Sequence, residues 1–297
     1  MPAETRDLVE LLPAEAAPVP LLLDSPHSGS FYPDDFGYAC PLPLLRQAED
    51  MYVDRLFASA PAHGAPLLHA RFPRSYIDPN RGLEDLDPEM IDGDWPQATR
   101  PGEKTRLGVG LIWSRLRGTT PIYARRLSPG EVQGRIARCW QPYHALLESE
   151  IGRLHSAFGC LFHLDCHSMP ADGDPRIDGN SDPRADFVLG DRDGTACDEA
   201  FTARVETYLR ALGYDVRRNV PYKGVELVRR YSDPAKGRHS LQLEINRRLY
   251  MDEVTFEKTE HFERLQSQLD GLLADLAIFA SEQAGAHSTR SQTREPV

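Results

Sequence analysis

The stretch Cys160-Leu161-Phe162-His163-Leu164-Asp165-Cys166-His167-Ser168 constrains this chain more than any other. It is an apolar run that ends in polar groups, as a central strand of a sheet covered on both faces does. Gly159 separates it from a long helical pattern over residues 129–158, in which Ile136, Trp140, Tyr143, Leu146, Leu147, Ile151 and Leu154 recur at helical spacing. A helix feeding a buried strand is the signature of α/β architecture. Other segments repeat the alternation. Residues 18–23, 66–71, 186–190, 214–217 and 240–246 read as strands, residues 75–82 as a strand running into a loop, and residues 44–60, 195–212 and 256–280 as helices. The order predicts a three-layer αβα fold around a mixed, mostly parallel sheet.

With 297 residues, 40% of them hydrophobic and 27% charged, the chain has enough apolar material for one large catalytic domain over residues 1–283. The polar residues 284–297 read as a flexible tail. The net charge of -11 argues against nucleic-acid binding, which needs a basic surface. An anionic substrate would therefore require a local basic pocket. Five cysteines without a CxxC pair suggest reduced thiols in a cytoplasm rather than a disulfide framework or structural zinc. No apolar run reaches the roughly 20 residues of a membrane span. The start of the chain, with Glu4, Asp7 and Glu10, lacks the basic region of a signal peptide.

In such folds, ligands bind beyond the carboxyl ends of strands. That rule selects His27, His167 and Glu244. Two histidines at strand outlets, next to Ser28-Gly29 and Ser168, suggest a metal site, and a catalytic zinc takes three protein ligands and a water. The third ligand is assigned to Asp50, on the helix expected over residues 44–60, with Glu49 and Asp54 as rivals. The same residues also read as solvated helix charges and satisfied loop histidines. Glu244 reads either as a buried base or as one of three polar residues on a solvent face. His163 reads as a core residue or a partner of the ligands. A basic set of Arg71, Arg74, Arg81, Lys223, Arg229 and Arg230 stands out in an acidic chain, and Asn80-Arg81 pairs an amide with a guanidinium suited to a carboxylate. Residues 82–105 form a Gly/Pro/Asp-rich excursion that could close over a substrate. P-loop, G-x-S-x-G, H-E-x-x-H and G-x-G-x-x-G motifs are absent. Cys166 and His167 point to opposite faces of a strand and cannot act together.

Six ordered segments resemble the N-formylglutamate amidohydrolase family. They are Ser25-Pro26-His27-Ser28-Gly29, Asp50-Met51-Tyr52-Val53-Asp54-Arg55-Leu56, Tyr76-Ile77-Asp78-Pro79-Asn80-Arg81, Trp140-Gln141-Pro142-Tyr143-His144, Asp165-Cys166-His167-Ser168-Met169, and Gln242-Leu243-Glu244 running on to Tyr250-Met251-Asp252-Glu253. The resemblance implies a phosphorylase/hydrolase-like fold of the zinc carboxypeptidase and aspartoacylase type. It also implies hydrolysis of N-formyl-L-glutamate to formate and L-glutamate, late in histidine degradation. One divalent metal, zinc with cobalt or manganese as alternatives, would be held by His27, His167 and an acid of the Asp50 segment. The related architecture has Glu three residues after its first His, where this chain has Ser30. By the same resemblance Glu244 is the general base, Arg74 polarises the scissile carbonyl, Asn80 and Arg81 clamp the α-carboxylate, and Lys223 and Arg229 hold the side-chain carboxylate. Another small N-acyl amino acid or peptide as substrate, or a non-catalytic dicarboxylate-binding protein, are the alternatives.

Overall fold

The structure is a computed structural model and describes residues 8–116, 118–175 and 181–292. Among the described residues, the strands in chain order are β1 (Val9–Leu12), β2 (Leu21–Ser25), β3 (Leu67–Ala70), β4 (Arg115–Leu116), β5 (Thr120–Pro121), β6 (Leu161–Met169), β7 (Phe187–Gly190), β8 (Val216–Arg218) and β9 (Arg238–Asn246). Seven of them build one sheet in the order β1-β3-β2-β6-β9-β7-β8. β2 and β9 both run parallel to β6, β8 runs parallel to β7, and β7 pairs antiparallel with β9. The sheet is thus mixed and mostly parallel, with helices around it, as the sequence predicts. β6, entirely buried, lies at its centre. The hairpin β4-β5 forms a separate small sheet.

The helices are α1 (Leu42–Arg46), α2 (Val53–Leu56), α3 (Glu103–Arg106), α4 (Pro129–Arg135), α5 (Gln141–Phe158), α6 (Glu199–Ala211), α7 (Glu226–Tyr231) and α8 (Phe262–Gln292). Among the described residues, no helix is long and apolar enough to cross a membrane.

Contacts group the chain into two compact units. Among the described residues, the first comprises 8–10, 26–51 and 69–146, and the second 11–25, 52–68 and 147–292. In the second unit, α8 packs on α6 and β2, α2 on β6, and α7 on β9. Its apolar interior includes Leu22, Phe162, Phe201 and Phe279, and the rings of Phe162 and Phe279 meet edge-on at 5.2 Å. The first unit is organised by Arg135, which is 1% exposed. Its guanidinium lies 4.2 Å from the Tyr76 ring centre and donates to Tyr76 O, Phe36 O and the Tyr123 hydroxyl. A buried charge is tolerable when so many acceptors and aromatic faces surround it.

Three expectations change. The helix expected over residues 44–60 is broken into α1 and α2, because Tyr52 adopts φ 66°, a left-handed conformation that no helix interior accommodates. Residues 75–82 form a turn rather than a strand, led by the Tyr76 N to Pro73 O bond and followed by Pro79. The closing helix runs to Gln292, past the expected tail start at Ala284, and residues 293–297 lie outside the described ones.

Candidate active site

In the first unit, His27 stands two residues beyond the end of β2 and is fully buried. The chain can enter this loop only through Gly29. A Cβ there would lie 2.3 Å from Phe72 O and 2.4 Å from the Arg71 carbonyl carbon. Asp50 lies in the irregular stretch between α1 and α2 rather than on a helix, and its backbone N–H donates to His27 O at 2.9 Å. That bond brings its carboxylate alongside, with Oδ2 at 3.4 Å from His27 Nδ1. The rival Glu49 is engaged by the Tyr32 hydroxyl at 2.6 Å and by Arg46 Nε at 3.3 Å.

Asp78 is the centre of this half. His27 Nε2 donates to its Oδ1 at 2.7 Å, and Asn80 N donates to the same oxygen at 2.9 Å. Arg74 Nε and Nη2 reach Oδ2 at 3.2 and 3.1 Å, and Trp113 Nε1 reaches it at 3.3 Å. Burial works to raise the Asp78 pKa, but the His27 and Arg74 charges overcome it and hold the carboxyl well below the usual range. Arg74 also lies 3.8 Å from Asp50 Oδ1 and sits over the Trp113 ring. Asn80 and Arg81 follow on the same turn. Arg81 is buried and donates to Val109 O and Asn80 O, and burial lowers its pKa.

In the second unit, the sheet itself positions the groups. His163, Asp165 and His167 alternate along β6 and so share one face. Their register partners on β9 are Ser240, Gln242 and Glu244, and Asp24 on β2 stands opposite Asp165. One face of the sheet therefore carries a buried polar row where a core would be apolar. Within it His163 joins Asp24 at 2.9 Å and Ser240 at 2.7 Å. His167 Nε2 lies 2.7 Å from Asp165 Oδ1. Gln242 Nε2 donates to Glu244 Oε1 at 2.8 Å. Burial raises the Asp165 pKa despite the nearby histidine charge. Glu244 is 7% exposed, so the solvent-face reading is set aside.

Lys223 and Arg229 lie in exposed ion pairs. Lys223 is 58% exposed and pairs with Asp193, and Arg229 is 53% exposed and pairs with Glu226. The cation that sequence reasoning missed in this unit is Arg247, which is buried and donates from Nε to Ser168 Oγ at 3.1 Å, next to His167. Asp78 and Asp165 were passed over as site residues as well. Asp165 carries a signal, an acid within a buried apolar strand, whereas Asp78 lies on a turn just before Pro79.

The class follows from these residues. The fold is α/β, and it carries buried histidine and carboxylate pairs at and beyond its strand ends. A model of the N-formylglutamate amidohydrolase family matches residues 19–251. The chain is 31% identical over 252 residues to an N-formylglutamate deformylase of Pseudomonas aeruginosa, covering 82% of this chain and 86% of that protein. It is 31% identical over 246 residues to the N-formylglutamate deformylase of Pseudomonas putida, covering 80% and 83%. Among solved structures it is similar to N-formylglutamate amidohydrolase from Ralstonia eutropha JMP134, with a TM-score of 0.89, 47% identity, and coverage of 93% of this chain and 99% of that one. The chain belongs to the N-formylglutamate amidohydrolase family, and with it to the amide-bond hydrolases.

Proposed function

We propose that the chain hydrolyses N-formyl-L-glutamate to formate and L-glutamate, using one divalent metal held by His27, Asp50 and His167. The observation that carries this reading is the state of the two histidines. His27 Nε2 donates to Asp78 Oδ1 at 2.7 Å, and His167 Nε2 lies 2.7 Å from Asp165 Oδ1, a contact at ion-pair distance only, since neither Asp165 oxygen accepts a hydrogen bond among the described residues. A carboxylate on one ring nitrogen makes the other a better oriented and more basic metal ligand. With Asp50 they would supply the two-histidine, one-carboxylate donor set that a single catalytic zinc takes. Cobalt and manganese accept the same ligands.

An ion bound there would supply Lewis-acid polarisation of the formyl carbonyl and lower the pKa of water. The chain's own groups supply the rest. Glu244 accepts the proton of the attacking water as the C–O bond forms, and returns it to the amine nitrogen as the C–N bond breaks. Gln242 holds the Glu244 carboxylate in one orientation through its Oε1. Arg74, kept in place by Asp78, stabilises the developing oxyanion. Asn80 and Arg81 receive the α-carboxylate. Arg247 takes the side-chain carboxylate, the role that Lys223 and Arg229 have in the sequence reading. The same reading makes the enzyme a cytoplasmic one and its reaction a late step of histidine degradation.

The test is formate release from N-formyl-L-glutamate by metal-analysed protein, before and after chelation, beside N-acetyl-glutamate, N-formyl-aspartate and N-formyl-methionine. Chelator-sensitive release selective for the first substrate is expected. Release that persists in metal-free protein would overturn the metal role, and a preference for another substrate would overturn the specificity.

A further inference from the structure

Residues 129–158 form one uninterrupted helix, but its middle is not α-helical. Ile136–Trp140 make a π-turn, closed by the Gln141 N to Ile136 O bond, between α4 and α5. Pro142 accounts for its position. A proline at 142 has no N–H for the carbonyl of residue 138 and its ring crowds that carbonyl, so a wider turn there relieves both problems.

The turn changes what the helix can hold. Arg135, Trp140 and His144 all donate to carbonyls of one short segment: Arg135 Nη1 to Tyr76 O at 3.0 Å, Trp140 Nε1 to Arg81 O at 3.0 Å, and His144 Nε2 to Pro79 O at 2.9 Å. In a regular α-helix, at about 100° per residue, the nine positions from 135 to 144 carry a side chain to the opposite side. With the π-turn, 135 to 140 is one i→i+5 turn and 140 to 144 one i→i+4 turn, so all three share a face. Trp140 and His144 also stack, with ring centres 3.8 Å apart.

We propose that this π-turn sets the helical phase for the site, and that Arg135, Trp140 and His144 are positioning residues for the segment bearing Asp78, Asn80 and Arg81. Three side chains of one rigid helix fix that segment at its start, middle and end. Asp78 then points at His27 without any regular secondary structure of its own. For its functional arm the inference rests on the reading that Arg81 binds the substrate α-carboxylate. Its structural arm does not.

The experiment uses two variants of the full chain. Trp140→Phe keeps an aromatic ring to stack on His144 and removes the donor to Arg81 O together with part of the indole's bulk. Deletion of Ala137, an exposed residue of the π-turn, leaves all three grips in the sequence but returns the spacing to that of a regular helix. Backbone hydrogen exchange of residues 76–82 is expected to accelerate at least tenfold in both. In Trp140→Phe, KM for N-formyl-L-glutamate rises about tenfold while kcat stays within about threefold. Unchanged exchange in Trp140→Phe overturns the proposal, whether or not the deletion variant folds. Faster exchange with an unaltered KM in an active enzyme overturns the link to substrate binding. If the wild type releases no formate, the functional reading fails and the exchange result alone decides the positioning role.

Discussion

His27 donates to Asp78 across 2.7 Å, and neither residue has any exposed surface. A carboxylate so placed fixes the imidazole ring and its tautomer. Asp78→Asn preserves shape but weakens that hold, and substitutions of this kind cost about 10- to 100-fold in metal affinity or activity. Metal content per chain after dialysis against a weak chelator checks this. Full retention of metal and activity would remove Asp78 from the mechanism.

Glu244→Gln tests the proton-transfer role. The amide keeps the contact with Gln242 and cannot accept a proton, so formate release should fall by about 10²- to 10⁴-fold with metal content and melting temperature near those of the wild type. Near-normal turnover would sink the role.

The cations separate cleanly. Lys223 and Arg229 sit in exposed ion pairs, which are worth little. Lys223→Ala and Arg229→Ala should leave KM within about threefold, whereas Arg247→Gln, which removes a buried charge-assisted donor, should raise it by about tenfold or more. Steady-state kinetics on the three variants decides between them, and the reverse ranking would return the side-chain carboxylate to Lys223 and Arg229.

The start of α4 offers a pH prediction. Ser128 and Glu131 form a capping box, and Arg125 donates to the Glu131 carboxylate. That hydrogen bond, opposed by partial burial and helped by Ser128, lowers the Glu131 pKa from 4.5 to about 2. A depressed carboxyl contributes stability above its unfolded pKa and loses it as pH falls. Glu131→Gln should therefore cost about 1 kcal/mol at neutral pH, as loss of a helix cap does. The difference should shrink below pH 4.5 and be lost only as the pH falls through about 2, as thermal melts across that range would show.

All five cysteines are free and buried. Burial pushes the Cys139 and Cys197 thiols up to about 12 and Cys160 to about 11. A thiol reagent at pH 8 should label the folded protein slowly at every site and the denatured protein at five, and rapid labelling of the native protein would contradict the burial.

Strand outlets were legible because an apolar run that ends in His or Glu has few other uses, and β6, β9 and α5 lie where their spacing predicts. Asp50 could be read as a residue but not as a place. Its position depends on the backbone of Tyr52 and on a hydrogen bond to His27, neither of which periodicity encodes. Asp78 is not legible as a site residue, because its importance comes from four donors, of which His27 and Trp113 are distant in sequence. Lys223 and Arg229 are selected by charge and by the family resemblance, and neither says which way a side chain turns. The π-turn was invisible because it adds one residue to a helix without disturbing its apolar pattern. Only Pro142 hinted at it.

At Gly29 the backbones of two loops nearly touch, since the first side-chain carbon would overlap the carbonyls of Arg71 and Phe72. The path into His27 is therefore clamped from behind by main chain, which cannot be trimmed by substitution. Efforts to retune the specificity of this enzyme have no freedom at that position. Variation must come from the helix that grips residues 76–81 or from the groups along β9, and a library that includes residue 29 would spend its diversity on chains that cannot close the loop.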